Sequence, residues 1–139
     1  MSTILAFDFG IKHIGVATGN TVSSTATVQK ALTAVNGIPQ DEQLQKLFKE
    51  WQPQLIVVGL PYNMDGTEQD MTKRARSFGK KLAERFAVDV VFVDERLTSK
   101  SAKEEIFMTG GFKALKKDKG RIDSLSAQTI LEQYFTDQG

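Results

Sequence analysis

Residues 4–10 read Ile4-Leu5-Ala6-Phe7-Asp8-Phe9-Gly10, so that one acid lies inside an otherwise apolar strand. An unpaired carboxylate on a buried strand is costly, and it is usually tolerated only beside a metal, a cation or hydrogen-bond donors. Asp8 is therefore predicted to have a functional partner. Two more acids stand out, because Glu95 comes just after the apolar strand 88–94 and Asp123 opens the last helical segment. We interpret the three acids as one site.

The composition is that of one globular domain without thiol chemistry. The chain has 139 residues, 40% of them hydrophobic, which predicts a single domain over 1–139 with a genuine core. Cysteine is absent, so disulfides and thiolate metal sites are excluded, as suits a reducing cytoplasm. No segment approaches the roughly 20 apolar residues that span a bilayer, so we expect a soluble protein without a membrane partner.

Positive charge is concentrated locally, since the net charge of +1 gives no global argument for a nucleic-acid partner. One concentration lies in a predicted helix, and we interpret it as a solvated outer face. The other lies in a predicted late loop with glycines and few apolar anchors, as in a mobile arm that contacts a nucleic-acid backbone. The helix contains Lys73, Arg74, Arg76, Lys80, Lys81 and Arg85, and the loop contains Lys113, Lys116, Lys117, Lys119 and Arg121.

The order of the predicted strands indicates an α/β fold. Residues 3–9, 14–18 and 25–28 are predicted strands joined too tightly to be other than antiparallel. The continuous apolar run Leu55–Leu60 predicts a strand that is covered on both faces and lies at the sheet centre. Helices alternate with the later strands, which implies parallel crossover units. We expect a mixed five-stranded sheet, three antiparallel strands and then parallel strands including 88–94, with helices on both faces.

Four helices are predicted from capping residues and from apolar side chains at helical spacing. The first contains Leu44, Leu47, Phe48 and Trp51, and the second has the apolar stripe Met71, Ala75, Phe78, Leu82 and Phe86. A further helix is capped by Thr98 or Ser99 and ended by Gly110-Gly111, and the last runs from Asp123 to Phe135.

The three acids are predicted to converge where the parallel strands end, because open sheets of this kind bind ligands there. Asp8 shares a strand face with Ala6, and Asp123 shares the inward edge of its helix with Ala127 and Ile130. Such a cluster of oxygens suits Mg²⁺ or Mn²⁺. Carboxylates around divalent ions are typical of phosphodiester hydrolysis, so a nuclease is the natural hypothesis.

Each of two acids also has a simpler interpretation. Asp123 could be an N-terminal helix acid that the helix dipole stabilises. Glu95 or Asp94 could pair with Arg96 on the surface.

Several motifs in order resemble the YqgF/RuvX family over essentially the whole chain. They are Ala6-Phe7-Asp8-Phe9-Gly10 with Lys12 and Ile14-Gly15-Val16-Ala17, then Val58-Gly59-Leu60-Pro61 with Asn63-Met64-Asp65-Gly66-Thr67-Glu68, then Asp94-Glu95-Arg96-Leu97-Thr98, then Asp123-Ser124 with Ala127 and Ile130-Leu131-Glu132. The resemblance implies a ribonuclease H-like fold related to the RuvC Holliday junction resolvases. It also implies a bacterial cytoplasmic nuclease that processes the 5′ end of pre-16S rRNA.

The resemblance also implies roles for single residues. Asp8, Glu95 and Asp123 would be the catalytic metal ligands. The wider resolvase family has an acid in or just after the fourth strand, but Leu55–Leu60 contains none, so Glu95 would substitute from the next strand. Asp94 is a competing ligand, although alternation sets it on the opposite strand face.

Three weaker candidates for nucleic-acid contact lie outside the basic loop. Lys12 could contact a phosphate from the first hairpin, and Arg96 could clamp one with its planar fork. Asn63 fits a substrate loop beside the fourth strand, although this segment is also simply a good turn.

Other functions remain open from the sequence. The chain could act on four-way DNA rather than on precursor rRNA, or it could hold RNA without catalysis as a ribosome-assembly factor. A phosphate-binding relative of actin and the sugar kinases would need two such lobes, and the chain has room for one. It is expected to act as a monomer or a homodimer.

Overall fold

The computed structural model describes residues 3–95 and the backbone of residues 119–138, with side chains for 124–137 of the second range. This part of the chain contains six strands, β1 (Thr3–Asp8), β2 (His13–Asn20), β3 (Thr25–Val35), β4 (Ile38–Pro39), β5 (Leu55–Leu60) and β6 (Asp89–Asp94), and three helices, α1 (Asp41–Trp51), α2 (Asp70–Phe86) and α3 (Lys119–Gln138). The strands form one sheet in the order β4-β3-β2-β1-β5-β6. β1, β2, β3 and β4 pair antiparallel in chain order, whereas β1, β5 and β6 run parallel.

The predicted mixed sheet is confirmed, with one short strand more than expected. β4 has only two residues and extends the sheet beyond β3. The prediction that Leu55–Leu60 lies at the sheet centre was wrong, because β1 is further inside and β5 is next to the edge strand β6. β2, β3 and β4 all lie on the side of β1 that faces away from β5, so the middle of the sheet is at β2 and β1.

β3 is longer than the predicted 25–28. It continues to Val35 because it pairs with β2 along its length, from Asn20 opposite Thr25 to His13 opposite Thr33. The register shifts between Ile14 and Val16 on β2, so the two halves of the ladder are offset. Buried and exposed side chains alternate from Leu32 to Val35, as in a strand with one face in water.

The two faces of the sheet carry separate hydrophobic clusters. The face under α1 and α2 buries Leu5, Phe7, Ile56, Val58, Phe48, Ala75, Phe78 and Leu82. The face under α3 buries Ile4, Ala6, Ala17, Val57, Val93, Ala127, Ile130 and Leu131. Helices therefore cover both faces, as predicted, and the predicted apolar stripe of α2 is the one that packs inward.

α3 begins earlier than predicted. Its first residue is Lys119, so Asp123 is the fifth residue of the helix and does not open it, and the helix continues past Phe135. Lys119 and Arg121 therefore belong to a helix and not to the predicted basic loop. Gly120 suggested a loop, but a glycine in a helix costs only about 1 kcal/mol relative to alanine.

Several predictions lie outside the described residues. These are the predicted helix between Thr98 and Gly110, the contact residue Arg96, and the basic residues Lys113, Lys116 and Lys117. Within the described ranges, no helix is both long and apolar enough to cross a membrane.

Candidate functional site

Two of the three predicted acids lie at one end of the sheet and on one face of it. Asp8 is the last residue of β1, and Glu95 directly follows β6. β1, β5 and β6 run parallel, so both acids are at the carboxyl ends of their strands. Alternation places Asp8 with Ala6, and Glu95 with Val93, on the face that α3 covers. Asp94 is consequently on the opposite face of its strand.

Glu95 extends from the edge of the sheet across the neighbouring strand. A Cβ atom built on Gly59 of β5 would lie 2.7 Å from Cγ and 2.8 Å from Oε1 of Glu95. The Glu95 side chain therefore occupies the space above Gly59, and the residue is only 9% exposed. Its backbone N–H donates to the carbonyl of Leu60 at 3.0 Å. Since β5 adjoins β1, the glutamate reaches toward the strand that ends in Asp8.

Gly59 is the site residue whose role the sequence interpretation missed. Glycine is the one residue type that leaves room for the glutamate at this point of β5. The signal was present, because a glycine inside a continuous apolar strand often marks the close approach of another group. It also explains how a strand without its own acid can be part of an acidic site.

α3 is attached to the sheet beside the end of β1. The backbone N–H of Val16 donates to Oγ of Ser124 at 3.2 Å, and Ser124 is fully buried. Val16 is opposite Phe7 in the β1–β2 ladder, one residue from Asp8. The backbone of Asp123 therefore lies next to this contact. The Asp123 side chain is outside the described residues.

The described donors are suited to a hard divalent cation. Asp8 is half-buried and Glu95 is buried, and both supply carboxylate oxygens of the kind that Mg²⁺ and Mn²⁺ prefer. Among the described side chains, no group of three His, Asp or Glu residues is close enough to hold a metal ion. The structure thus describes two of the three predicted carboxylates, Asp8 and Glu95. The third acid, Asp123, belongs to α3, which covers the same sheet face.

The loop after β5 is ordered by its own polar groups. Asn63 Nδ2 donates to Thr67 Oγ1 at 3.0 Å, and Thr67 Oγ1 in turn donates to Asp65 Oδ1 at 2.6 Å. Arg76 of α2 pairs with Glu68, whose carboxylate raises the pKa of the guanidinium. Asn63 itself is exposed at the same end of the sheet as Asp8. The loop is therefore a preformed surface beside the candidate site.

The other predicted contact residues are less completely described. Lys12 is exposed in the turn between β1 and β2, and its carbonyl accepts a hydrogen bond from the N–H of Ala34 at 2.8 Å. Lys119 and Arg121 are in the first turns of α3, and their side chains are outside the described residues.

Only some of the cationic side chains of α2 are exposed to solvent. Lys73, Lys80, Lys81 and Arg85 are exposed, as predicted. Arg74 and Arg76 are half-buried, and both are hydrogen-bonded to other segments of the chain. The prediction of a purely solvated face was therefore wrong for these two arginines.

Known proteins are similar in sequence to this chain over nearly its whole length. A protein named "Putative pre-16S rRNA nuclease" from Shewanella denitrificans is 52% identical over 136 residues, which are 98% of this chain and 95% of the relative. One of the same name from Haemophilus influenzae is 55% identical over 133 residues, which are 96% of this chain and 94% of the relative.

Solved structures of low identity share the fold. T. thermophilus RuvC in complex with a Holliday junction substrate has a TM-score of 0.61 at 15% identity, covering 99% of this chain and 96% of that one. Fowlpox virus resolvase in complex with Holliday junction DNA has a TM-score of 0.61 at 12% identity, covering 98% of both chains. The family model described as "RuvX: Holliday junction resolvase" matches residues 2–137. This chain therefore belongs to the RuvX family.

Proposed function

We propose that this chain is a cytoplasmic, metal-dependent nuclease that hydrolyses a phosphodiester bond at the 5′ end of pre-16S rRNA. The observation that carries the proposal is the path of Glu95 over Gly59 toward the strand that ends in Asp8. A glutamate that crosses a glycine gap to the same sheet face as a second acid brings two carboxylates to one end of the sheet, and carboxylate oxygens are the ligands that Mg²⁺ and Mn²⁺ prefer.

In this proposal Asp8, Glu95 and Asp123 hold Mg²⁺ or Mn²⁺. When bound, such an ion activates water and offsets the negative charge of the scissile phosphate. Asp8 ends β1, Glu95 follows β6 and Asp123 belongs to α3, so folding would set the spacing of the three carboxylates before substrate binds. Preorganisation of this kind is what allows charged groups to stabilise a transition state without rearrangement.

The predicted contact residues, all of them cationic except Asn63, would hold the nucleic-acid backbone. Lys12 is on the hairpin directly after Asp8, and Asn63 is on the preformed loop after β5. Contacts of this kind to phosphates give affinity without sequence preference, and they weaken as salt rises. The remaining proposed contacts are Arg96, Lys113, Lys116, Lys117, Lys119 and Arg121.

Precursor rRNA is the proposed substrate because relatives of more than half identity carry that activity in their name. The family description favours a second candidate, the four-way DNA junction. The same carboxylates would serve either substrate, since both reactions are phosphodiester hydrolysis. Only a cleavage assay that tests both nucleic acids can distinguish the two candidate substrates.

The deciding experiment incubates the purified chain with a 5′-labelled pre-16S rRNA fragment and, separately, with a labelled four-way junction. Each reaction contains Mg²⁺, Mn²⁺ or EDTA, and each is repeated with Asp8→Asn. We expect the RNA to be cut with either metal and not in EDTA. Asp8→Asn should lower the rate by more than about 100-fold, since even the loss of a group that only supports a metal ligand costs roughly 10–100-fold.

A matched control is Asp89→Asn, which changes an exposed acid at the other end of the sheet, at the start of β6. It should cut RNA at the unaltered rate. Cleavage that Asp8→Asn leaves unchanged would defeat the proposal. If neither protein cuts and both bind the precursor equally, the chain is a noncatalytic RNA-binding assembly factor.

A further inference from the structure

A cleft of about 650 Å³ opens between α1 and α2, on the sheet face opposite to Asp8 and Glu95. Its floor is made by the apolar side chains of Phe9, Leu44 and Phe78. Small-molecule sites typically have volumes of roughly 300–1,000 Å³. The cleft is therefore large enough for a single nucleotide.

The rim of the cleft is positively charged. Three cations line it, Arg74, Lys81 and Arg85, against one carboxylate, Asp41. Arg85 is paired with Asp41 at 2.7 Å. Lys81 is exposed, and among the described residues it has no carboxylate partner. The lining therefore keeps an excess of positive charge that an anionic ligand would neutralise.

One of these cations is already held in position by the fold. Arg74 Nη2 donates to the carbonyl of Asn36 at 2.7 Å, and its guanidinium carbon is 5.9 Å from the centre of the Phe9 ring. A Cβ atom on Gly37 would lie 2.7 Å from Cζ of Phe9 and 3.0 Å from Nη2 of Arg74. The turn thus needs a glycine here to let the arginine and the ring lie together.

We propose that this cleft binds one nucleotide, with its base against the half-buried ring of Phe9 and its phosphate at Lys81 and Arg74. An uncharged aromatic ligand would not use the cations, and a simple anion would not use the aromatic floor. Bases stack on aromatic side chains whatever their sequence, and arginine is suited to phosphate. The choice of nucleotide over other aromatic anions rests on the proposed nuclease function.

The nucleotide could be free in solution or could be one unit of a single-stranded RNA. The cleft adjoins the end of the strand that carries Asp8. Phe9 directly follows Asp8, and alternation sends the two side chains to opposite faces of the sheet. A ligand on Phe9 would therefore contact the residue next to a proposed metal ligand.

The test titrates ¹⁵N-labelled full-length chain with AMP and, separately, with a single-stranded oligoadenylate, in EDTA. Amide shifts of Phe9 and Gly37 report on the cleft. The variant is Lys81→Glu, and the matched control is Lys80→Glu, which makes the same charge change at an exposed neighbour that does not line the cleft. We expect saturable shifts, weakened about tenfold by Lys81→Glu and by less than about twofold by Lys80→Glu.

Each outcome decides the inference. Equal affinity for AMP and for the oligomer indicates a site for free nucleotide, whereas tighter binding of the oligomer indicates a site for the RNA strand. Absence of saturable shifts at Phe9 and Gly37 with both probes would overturn the proposal, and so would equal weakening by the two variants. The assay contains no metal and measures no cleavage, so its failure is distinct from a failure of the nuclease proposal.

Discussion

The two faces of the sheet are built from side chains of different size. Under α1 and α2, Phe7 stacks on Phe48 with ring centres 6.2 Å apart, and it meets Phe78 edge-on at 5.6 Å. Under α3, the sheet presents Ala6 and Ala17, and the glycines 19 and 59. The first face is filled by aromatic rings, and the second leaves room for a helix to lie close.

This difference separates stability from the candidate chemistry. Aromatic rings bury large areas and supply much of the driving force for folding. The face with small residues buries less per residue, but Gly59 leaves the space in which Glu95 lies beside Ile130 of α3. Substitutions on the two faces should therefore affect different measurements.

The largest expected effect is on stability, from Phe7→Ala in the aromatic face. Removing a fully buried phenylalanine typically costs about 3–5 kcal/mol through lost burial and the cavity that remains. This is a large share of the roughly 5–15 kcal/mol that stabilises a domain. Denaturant unfolding of the two proteins measures the cost, and a loss below about 1 kcal/mol would show that the aromatic cluster is not the main source of stability.

The next effect is on activity, from Glu95→Gln. If Glu95 is a metal ligand, the rate of RNA cleavage should fall more than about 100-fold, while the fold is retained. Asp94→Asn is the matched control, because the neighbouring acid is on the face of α1 and α2. Cleavage assays with both variants settle which acid belongs to the site, and a greater loss with Asp94→Asn would reverse the assignment.

A smaller effect is expected from the same substitution, glycine to alanine, made once on each side of the sheet. At Gly59 a Cβ would collide with Glu95 and Ile130, and at Gly79 of α2 it would lie 2.8 Å from Cε1 of Phe92. Overpacking costs about 1–3 kcal/mol at either position. Only Gly59→Ala should also lower the cleavage rate per folded molecule, because it displaces Glu95. Equal rates for the two folded variants would mean that the position of Glu95 does not matter.

Local patterns in the sequence predicted the sheet and the faces of its acids. The apolar runs of β1 and β5 and the stripe of α2 depend on nearby residues, so their periodicity is readable. Alternation likewise predicted that Glu95 and Asp94 point to opposite faces. The proximity of Glu95 to Gly59 depends on the register of two strands about 35 residues apart, which no local pattern encodes.

The same reason explains the errors outside the site. The second half of β3 forms because it pairs with β2, since the order Gln29-Lys30-Ala31-Leu32 lacks the alternation that marks a strand in the sequence. The cleft forms only when Phe9 and Arg74 meet across the turn at Gly37. α3 begins at Lys119 although Gly120 suggested a loop, since tertiary packing outweighs the propensity of one residue.

The smallest expected effect is a dependence of stability on pH in the face of α1 and α2. Arg85 Nη2 donates to Asp41 at 2.7 Å and joins the two helices, and this hydrogen bond holds the pKa of Asp41 below its usual value of 3.8. A lowered pKa in the folded state means that the interaction stabilises the protein above about pH 4 and is lost as pH falls through the lower folded value. Asp41→Asn should therefore lower the free energy of unfolding at pH 7 and have no effect once the aspartate is protonated.

Because the Asp41–Arg85 pair is exposed, added salt should reduce the difference in unfolding free energy between the two proteins. The matched control is Glu42→Gln, one residue along α1. Urea unfolding of the three proteins along a pH series from 7 down to about 1 measures this, and a difference that stays constant over the whole series would mean that Asp41 acts through packing and not through its charge.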